Sequence, residues 1–253
     1  MKLAMMQPTF LPWQGYFALL RAADQFVYLD DFQFCRSTFH HRNRVIYPGG
    51  RADWITVPVS RAAGLGTPIA GAAPAIAEPW LSKTLGSLRQ SYAKCAHFVA
   101  LYPPLEALLQ RPHASLADLN IALIDWMRDL LGIHTPCARS SALAVTGQRS
   151  ARVLAILRHF GADTYLSARG AFGYMREDGI FPVPDVQVCF QRFTPPPYPQ
   201  RQVNDFVPYL SALDALFQVG PAGTLALLDQ GQGAYDDWAR MMAEEATCTS
   251  DPE

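Results

Sequence analysis

Residues 2–31, KLAMMQPTFLPWQGYFALLRAADQFVYLDD, decide the fold. The apolar run 2–6 predicts a short buried strand that ends at the following Gln-Pro pair. Residues 16–23 carry apolar side chains compatible with a helix, and 25–29 return to strand character. Parallel strands need a crossover of a dozen or more residues, and this connection supplies about that many. The stretch predicts a βαβ unit and an α/β fold, a Rossmann-like parallel sheet flanked by helices with a helical C-terminal part.

Further strand and helix patterns follow along the chain. The clearest helix begins near Ser115, which forms a capping-box-like pair with Asp118, and its apolar residues recur on one face. Other strands are predicted at 54–59, 164–166 and 186–193, and other helices at 80–92, at 149–160, from 206 onward and from 234 onward. Residues 61–79 favour a surface loop. We predict one α/β domain over 1–230, then a terminal helix and frayed tail over 231–253.

The composition is that of a folded globular protein. Of 253 residues, 50% are hydrophobic and 17% are charged, and 21 basic against 22 acidic side chains give a net charge of -1. This balance disfavours a disordered chain and a nucleic-acid-binding polycation. The N-terminal apolar residues are interrupted by Gln and Pro, and no apolar run is long enough for a membrane span. We expect a cytoplasmic protein that binds neither nucleic acid nor a membrane.

Cofactor motifs are not recognisable in the sequence. The 5 cysteines are widely spaced and never form a CxxC pair, so neither a disulfide framework nor a zinc site is indicated. The nucleotide-binding GxGxxG and P-loop patterns and the GxSxG and HExxH catalytic patterns do not occur. We therefore expect no metal and no cofactor.

The densest polar cluster directly follows the second predicted strand. In open parallel sheets ligands bind beyond the carboxyl ends of the strands, so this position favours a site. Arginines can hold phosphate or carboxylate there, and a histidine beside an aspartate can act as a general base. The alternative is a solvated loop whose charges pair with each other. The catalytic candidates are Asp30, His40 and His41, and the substrate-binding candidates are Asp31, Gln33, Arg36, Arg42, Asn43 and Arg44.

Two other segments add candidates for substrate binding. The loop after the first predicted strand carries Gln7 and Tyr16, which are better candidates than its other aromatic residues, because those fit a core. Ser167 and Tyr174 flank a predicted strand-to-helix turn whose backbone amides can hold an anion. Because the loops that follow parallel strands of one βαβ unit lie together, we predict that Arg42 and Asn43 share a pocket with Gln7 and Asp30.

Cys35 is a candidate nucleophile, since it lies five residues before His40. This spacing keeps a Cys/His hydrolase open as an alternative, although no fixed Cys/His motif surrounds the thiol. We expect Cys35→Ser to leave most of the activity intact.

Several stretches together resemble the WbqC-like family. The resemblance is carried by MQPTFLPWQGYFALLRAADQFVYLDDFQF, HRNRV, WITVPV, SLADLNIALIDWMRDLLGI, RSSAL, LRHFGADTYLS, YPQ and FVPYLSALDALFQVGP, over most of residues 1–230. The family pattern points to Gln7, Pro8, Gly15, Tyr16, Asp30, Asp31, Gln33, Arg42 and Asn43. His41 stands where many relatives are expected to have Asn, and Cys35 stands at a variable position.

The resemblance also implies a function. Members of this family are linked to surface-polysaccharide (O-antigen) gene clusters, with a suggested role in acyl or aminoacyl transfer to an amino sugar. The expected reaction forms an amide from an activated donor, such as a carrier-protein thioester, and an amine acceptor such as an amino sugar or amino acid. The expected partners are this small-molecule acceptor and an acyl or peptidyl carrier protein. The alternatives are a non-catalytic sugar-nucleotide-binding or scaffold protein of polysaccharide biosynthesis and the Cys/His hydrolase.

Overall fold

Five parallel strands form the central sheet of the protein, whose computed structural model describes residues 1–60 and 66–248. The strands of this sheet are β1 (Lys2–Met6), β2 (Gln25–Tyr28), β5 (Cys137–Arg139), β6 (Thr164–Ala168) and β7 (Gln187–Gln191). Their order is β5-β2-β1-β6-β7, and every neighbouring pair is parallel. The predicted βαβ opening and the α/β fold class are confirmed.

Helices cover both faces of this sheet. They are α1 (Gln14–Ala22), α2 (Glu78–Tyr92), α3 (Phe98–Gln110), α4 (Leu116–Leu130), α5 (Arg149–His159), α6 (Phe172–Asp178), α7 (Ala212–Gly231) and α8 (Trp238–Cys248). One hydrophobic core contains residues of α1, α2, α3, α4 and α7, and the other contains residues of α5, α6 and α8. In β1, Ala4 belongs to the first core while Leu3 and Met5 belong to the second. This alternation explains why the strand is apolar from Leu3 to Met6, since both of its faces are buried there.

Local sequence signals account for the best-defined helix ends. Ser115 accepts the backbone N–H of Asp118 at 3.1 Å and donates its hydroxyl to the Asp118 carboxylate at 2.8 Å. The predicted cap therefore starts α4 and satisfies one of the free N–H groups of its first turn. Gly161 follows α5 with a φ of 63°, a left-handed conformation that glycine adopts without strain.

Several elements differ from the prediction. The expected strand 54–59 is β4 (Ala52–Thr56), which pairs with β3 (Arg42–Ile46) in a separate antiparallel hairpin. The helix expected from residue 206 begins only at α7, because the proline-rich approach to it stays irregular until Ser211 caps its first turn. The prediction omitted α3, whose interior contains Pro103 and Pro104.

Parts of the predicted surface loop and tail lie outside the described residues. In the loop, 61–65 are outside them, while Ile69–Gly71 form a 3-10 turn and α2 begins at its end. In the tail, 249–253 are outside them. Over the described ranges, no helix combines the length and the apolar character needed to cross a bilayer.

Candidate functional site

The direction in which the chain adds strands to the sheet reverses between β1 and β6. From β1 the chain continues to β2 and β5 on one side of the sheet, and it later adds β6 and β7 on the other side. At such a switch point the connections leave in opposite directions, which opens a crevice at the carboxyl ends of the two central strands. Ligands of open α/β sheets bind in this crevice.

A cavity of about 390 Å³ occupies the crevice, and we call it the inner chamber. Its size falls in the range of small-molecule sites. Residues from the ends of β1 and β6, the loop after β2, and the starts of α5 and α6 line it, namely Met5, Met6, Gln7, Leu29, Phe32, Arg149, Tyr165, Ser167, Ala168, Gly170, Ala171 and Tyr174.

A second cavity of about 410 Å³ adjoins the first, and we call it the outer chamber. Most of its lining residues carry polar or charged side chains, and the lining consists of Asp31, Phe32, Gln33, Gly66, Gly147, Gln148, Arg149 and Arg152. Phe32 and Arg149 line both chambers and form the boundary between them.

Gln7 is positioned at the inner chamber by His40. The His40 imidazole accepts the backbone N–H of Cys35 at Nδ1, at 3.1 Å, so its Nε2–H is the donor to Gln7 Oε1 at 3.0 Å. This pairing needs a neutral ring. Burial, and secondly the neighbouring His41, lowers the pKa of His40 to about 4, which keeps the ring neutral at physiological pH. With its oxygen held in this way, Gln7 has its amide N–H groups left to donate to a ligand.

His41 is also held by two hydrogen bonds. Its Nε2 accepts the backbone N–H of Ser37 at 3.0 Å, and its Nδ1–H donates to the Val57 carbonyl at 3.0 Å. Burial lowers the pKa of His41 as well. Both ring nitrogens are therefore occupied in joining the segment before β3 to the segment after β4.

The two aspartates after β2 bind the segment that follows β5. Asp30 is fully buried, and its carboxylate accepts the backbone N–H and hydroxyl of Ser141 at 3.0 and 2.7 Å and the hydroxyl of Ser140 at 3.3 Å. Asp31 shares the one Ser140 hydroxyl hydrogen with Asp30 and also accepts a hydrogen bond from the Arg152 guanidinium. Asp31 faces the outer chamber as half of an ion pair, whereas Asp30 ties two loops together.

Arg149 sits between the chambers in a strained conformation. Its φ of 47° is left-handed, which is uncommon for a residue with a side chain and costs of order 1 kcal/mol or more. Its guanidinium pairs with Asp178 at 2.9 Å and with Glu177 at 3.3 Å. Strained residues of this kind cluster at ligand and active sites. They persist there because the surrounding contacts hold the residue in place.

The inner chamber also contains phenol and hydroxyl groups. Burial raises the pKa of Tyr174, with a smaller contribution from Tyr165, and burial also raises the pKa of Tyr165. Both phenols therefore stay protonated at neutral pH and remain possible donors. Ser167 is fully buried beside them. Within the described residues, no group of three or more His, Cys, Asp or Glu side chains is arranged to hold a metal ion.

Comparison with known proteins identifies the family. Residues 7–225 match the WbqC-like protein family. The chain belongs to this family. It is similar to a protein of Mycobacterium tuberculosis (strain ATCC 25618 / H37Rv) named "Uncharacterized protein Rv1507c", with 28% identity over 220 residues, which cover 87% of this chain and 94% of that protein. No solved structure matches the chain significantly.

Some of the predicted substrate-binding residues of this WbqC-like chain line the chambers. Of the predicted substrate-binding residues, Gln7, Ser167 and Tyr174 line the inner chamber, and Asp31 and Gln33 line the outer chamber. The chambers therefore bring together residues from three separate predicted segments.

The other residues predicted for the site of this WbqC-like chain are absent from the linings of both chambers, as far as the structure describes them. Tyr16 is buried in the core against Phe17 and Phe26. Asn43 donates to the carbonyls of Phe10 and Leu11 at 3.2 and 2.8 Å, so it fixes the backbone of the loop after β1.

The three predicted arginines belong to the hairpin and its approach. Arg36 donates to the Ser60 carbonyl at 3.1 Å, and the Arg42 guanidinium lies 4.2 Å from the Trp54 ring centroid. Arg44 pairs with Trp54 in the β3–β4 register. The chambers thus do not bring Arg42 and Asn43 to Gln7, and the basic group that the sequence favoured contributes to the hairpin.

The prediction missed the arginines at the start of α5. Arg149 and Arg152 line the outer chamber, although the sequence showed them only as part of a helix. One available signal was the preceding Gly147, whose φ of 124° suits glycine and marks a shaped turn into the helix. Phe32 and Tyr165, which the prediction did not name as site residues, also line the chambers.

Proposed function

We propose that this WbqC-like protein is an acyl or aminoacyl transferase that forms an amide. The observation that carries the proposal is the pair of chambers, about 390 and 410 Å³ in size, which meet at Phe32 and Arg149. A transferase of this kind must hold an activated donor and an amine acceptor side by side. Two adjoining cavities of similar size suit this requirement, because aligning two reactants can remove several kcal/mol of the barrier.

The reaction needs little from the protein beyond alignment. The neutral amine nitrogen attacks the thioester carbonyl carbon, and the carbonyl oxygen becomes an oxyanion. The C–S bond then breaks, sulfur leaves as a thiolate, and the proton lost by nitrogen reaches the sulfur, so that the products are an amide and a thiol. In our proposal, the Gln7 amide N–H groups donate to the oxyanion, because His40 holds the amide oxygen.

General-base roles for Asp30, His40 and His41 stay predictions. Each of these groups already accepts or donates hydrogen bonds to its own loops, which favours structural and positioning roles. In our proposal the acceptor amine enters unprotonated. The rate should then rise with pH through the pKa of that amine.

A second candidate function is a non-catalytic sugar-nucleotide-binding protein of surface-polysaccharide biosynthesis. It is favoured by the position of the chambers at the switch point, where nucleotides bind in many α/β folds. The Cys/His hydrolase gains no such support, because His40 accepts from the backbone N–H of Cys35. A cytoplasmic location is part of both proposals, and a carrier-protein partner is part of the transferase proposal.

The direct test is a transfer assay. Acyl and aminoacyl carrier proteins are incubated with amino sugars and amino acids, and new amides are detected by mass spectrometry. We expect an amide whose kcat falls roughly 10²- to 10³-fold in Gln7→Ala with a smaller change in KM, because an oxyanion donor acts in the transition state.

Gln230→Ala is the matched control, since Gln230 is an exposed residue of α7. This variant should keep wild-type kinetics. Tight binding of a sugar nucleotide without any amide across the panel would reject the transferase and favour the binding protein.

A further inference from the structure

The two chambers differ in chemical character. The inner chamber is bordered mainly by methionine, leucine, alanine and aromatic side chains, and the outer one by amides and charged groups. Met5, Leu29 and Tyr165 border the inner chamber while each is less than 10% exposed, so its walls are part of the protein interior. The substrates that fill the two chambers should differ in the same way.

Charge distinguishes an acyl group from an aminoacyl group at this site. Among the described residues that line the inner chamber, the charged one is Arg149. Glu177 and Asp178 pair with its guanidinium without lining the chamber themselves. The ammonium of an aminoacyl group would lose its hydration there and gain no carboxylate partner from the lining residues. A hydrocarbon group meets neither cost.

The volume limits the size of this group. An apolar cavity of about 150 Å³ holds the six carbon atoms of benzene, so one of about 390 Å³ has room for roughly sixteen non-hydrogen atoms. The carbonyl and sulfur of the thioester, which the proposed role of Gln7 places in this chamber, take about three of them and leave room for roughly twelve carbon atoms. We propose that the inner chamber binds the hydrocarbon acyl chain of the donor, while the outer chamber receives the amine acceptor. This inference rests on the proposed transferase function and narrows its donor to acyl thioesters of medium chain length.

Calorimetry with donor analogues tests the inference without requiring turnover. The probes are N-acetylcysteamine thioesters with straight acyl chains of 2 to about 14 carbons, and a matched series that carries an ammonium on the α-carbon, as an aminoacyl group does. The affinity of the full-length protein for the plain series should rise up to about fourfold per added methylene. It should stop rising at roughly twelve carbons, where the volume is filled. We expect ammonium probes of equal length to bind at least tenfold more weakly.

A variant of the chamber wall locates the binding site. Ala171→Leu narrows the inner chamber and should shorten the preferred chain by two or three carbons, whereas Ala226→Leu, at an exposed position of α7, should leave it unchanged. Ala168→Leu is a second wall variant in case the first does not fold.

The outcomes separate this inference from the proposed function. An affinity that ignores chain length, equal binding of the ammonium series, or an unchanged optimum in folded wall variants would overturn the inference, even where amides form. Binding that depends on chain length, with no amide product, would support the hydrocarbon chamber and reject the transferase.

Discussion

His40 is held as a neutral imidazole by two hydrogen bonds of opposite sense. Its Nδ1 accepts from the Cys35 backbone, and its Nε2–H donates to Gln7. A protonated ring would turn Nδ1 into a donor facing another N–H group, so protonation must break this arrangement. Burial lowers the pKa of His40 to about 4, whereas a histidine in the unfolded chain titrates near 6.5.

This difference predicts a loss of stability in acid. Between about pH 6.5 and pH 4 the His40 side chain is protonated in the unfolded chain but neutral in the folded chain. The free energy of unfolding therefore falls as the pH is lowered. The contribution of His40 should reach about 3 kcal/mol at the acid end of this window. Urea denaturation at several pH values should show that the free energy of unfolding depends less steeply on pH in His40→Gln than in the wild-type protein.

His159→Gln is the control for this experiment, because His159 is exposed at the end of α5. His41 contributes in the same direction, so a residual slope should persist in His40→Gln. An identical slope in wild type and His40→Gln would contradict the prediction.

At the scale of an element, α8 is attached beside the inner chamber. The Asp236 carboxylate, only 3% exposed, pairs with Arg169 and lies 3.0 Å from both Arg192 and Arg240. The Trp238 ring, at the start of α8, lies 5.0 Å from the Phe172 ring. Arg169 opens the 3-10 turn whose Gly170 and Ala171 line the chamber. The helix α8 lies outside residues 7–225, which match the family.

The attachment should hold the chamber wall in place. Asp236→Asn leaves three arginines facing a neutral amide, and it should cost about 1 to 2 kcal/mol, because the arginines are partly exposed and solvent screens part of the effect. Hydrogen exchange at 168–174 should become faster in this variant. Asp185→Asn, which loses an exposed pair with Arg158, should leave stability nearly unchanged, because solvent screens this pair. Unchanged exchange at 168–174 would exclude a role for α8 in holding the wall.

At the scale of the whole molecule, one buried asparagine joins the helical layer to the loops of the site. Asn120 of α4 is fully buried, and its amide donates to the carbonyls of Pro8 at 2.9 Å and His40 at 2.7 Å. His40 in turn holds Gln7. A continuous set of hydrogen bonds therefore leads from α4 to the inner chamber.

Removing this link should affect both the fold and the site. Asn120→Ala leaves two buried carbonyls without their donor, so we expect a loss of about 2 to 4 kcal/mol in the free energy of unfolding. Urea denaturation measures this change, and Asn204→Ala, at an exposed position, is the control. A loss below about 0.5 kcal/mol would contradict the structural role of Asn120.

How far the sequence predicts the fold depends on the range of the signals. The apolar run of β1, the Ser115 cap and the glycine after α5 act over a few residues, so these features could be predicted. The pairing of β4 with β3 could not be predicted, because the pattern of a strand does not show with which other strand it pairs. The helix α3 was hidden by its two interior prolines, which normally indicate a helix end and here are accommodated.

The same distinction applies to the site. The sequence by itself determined the α/β class, the family, and the position of Gln7, Ser167 and Tyr174 near strand ends, because backbone periodicity and local motifs encode them. Only the tertiary structure decided that Arg149 and Arg152 join them and that Asp30, His40 and His41 bind their own loops. The physical reason is that a buried polar side chain loses its hydrogen bonds to water and must form others within the protein. The partners for these hydrogen bonds come from distant segments of the chain, so the role of the side chain depends on the tertiary fold.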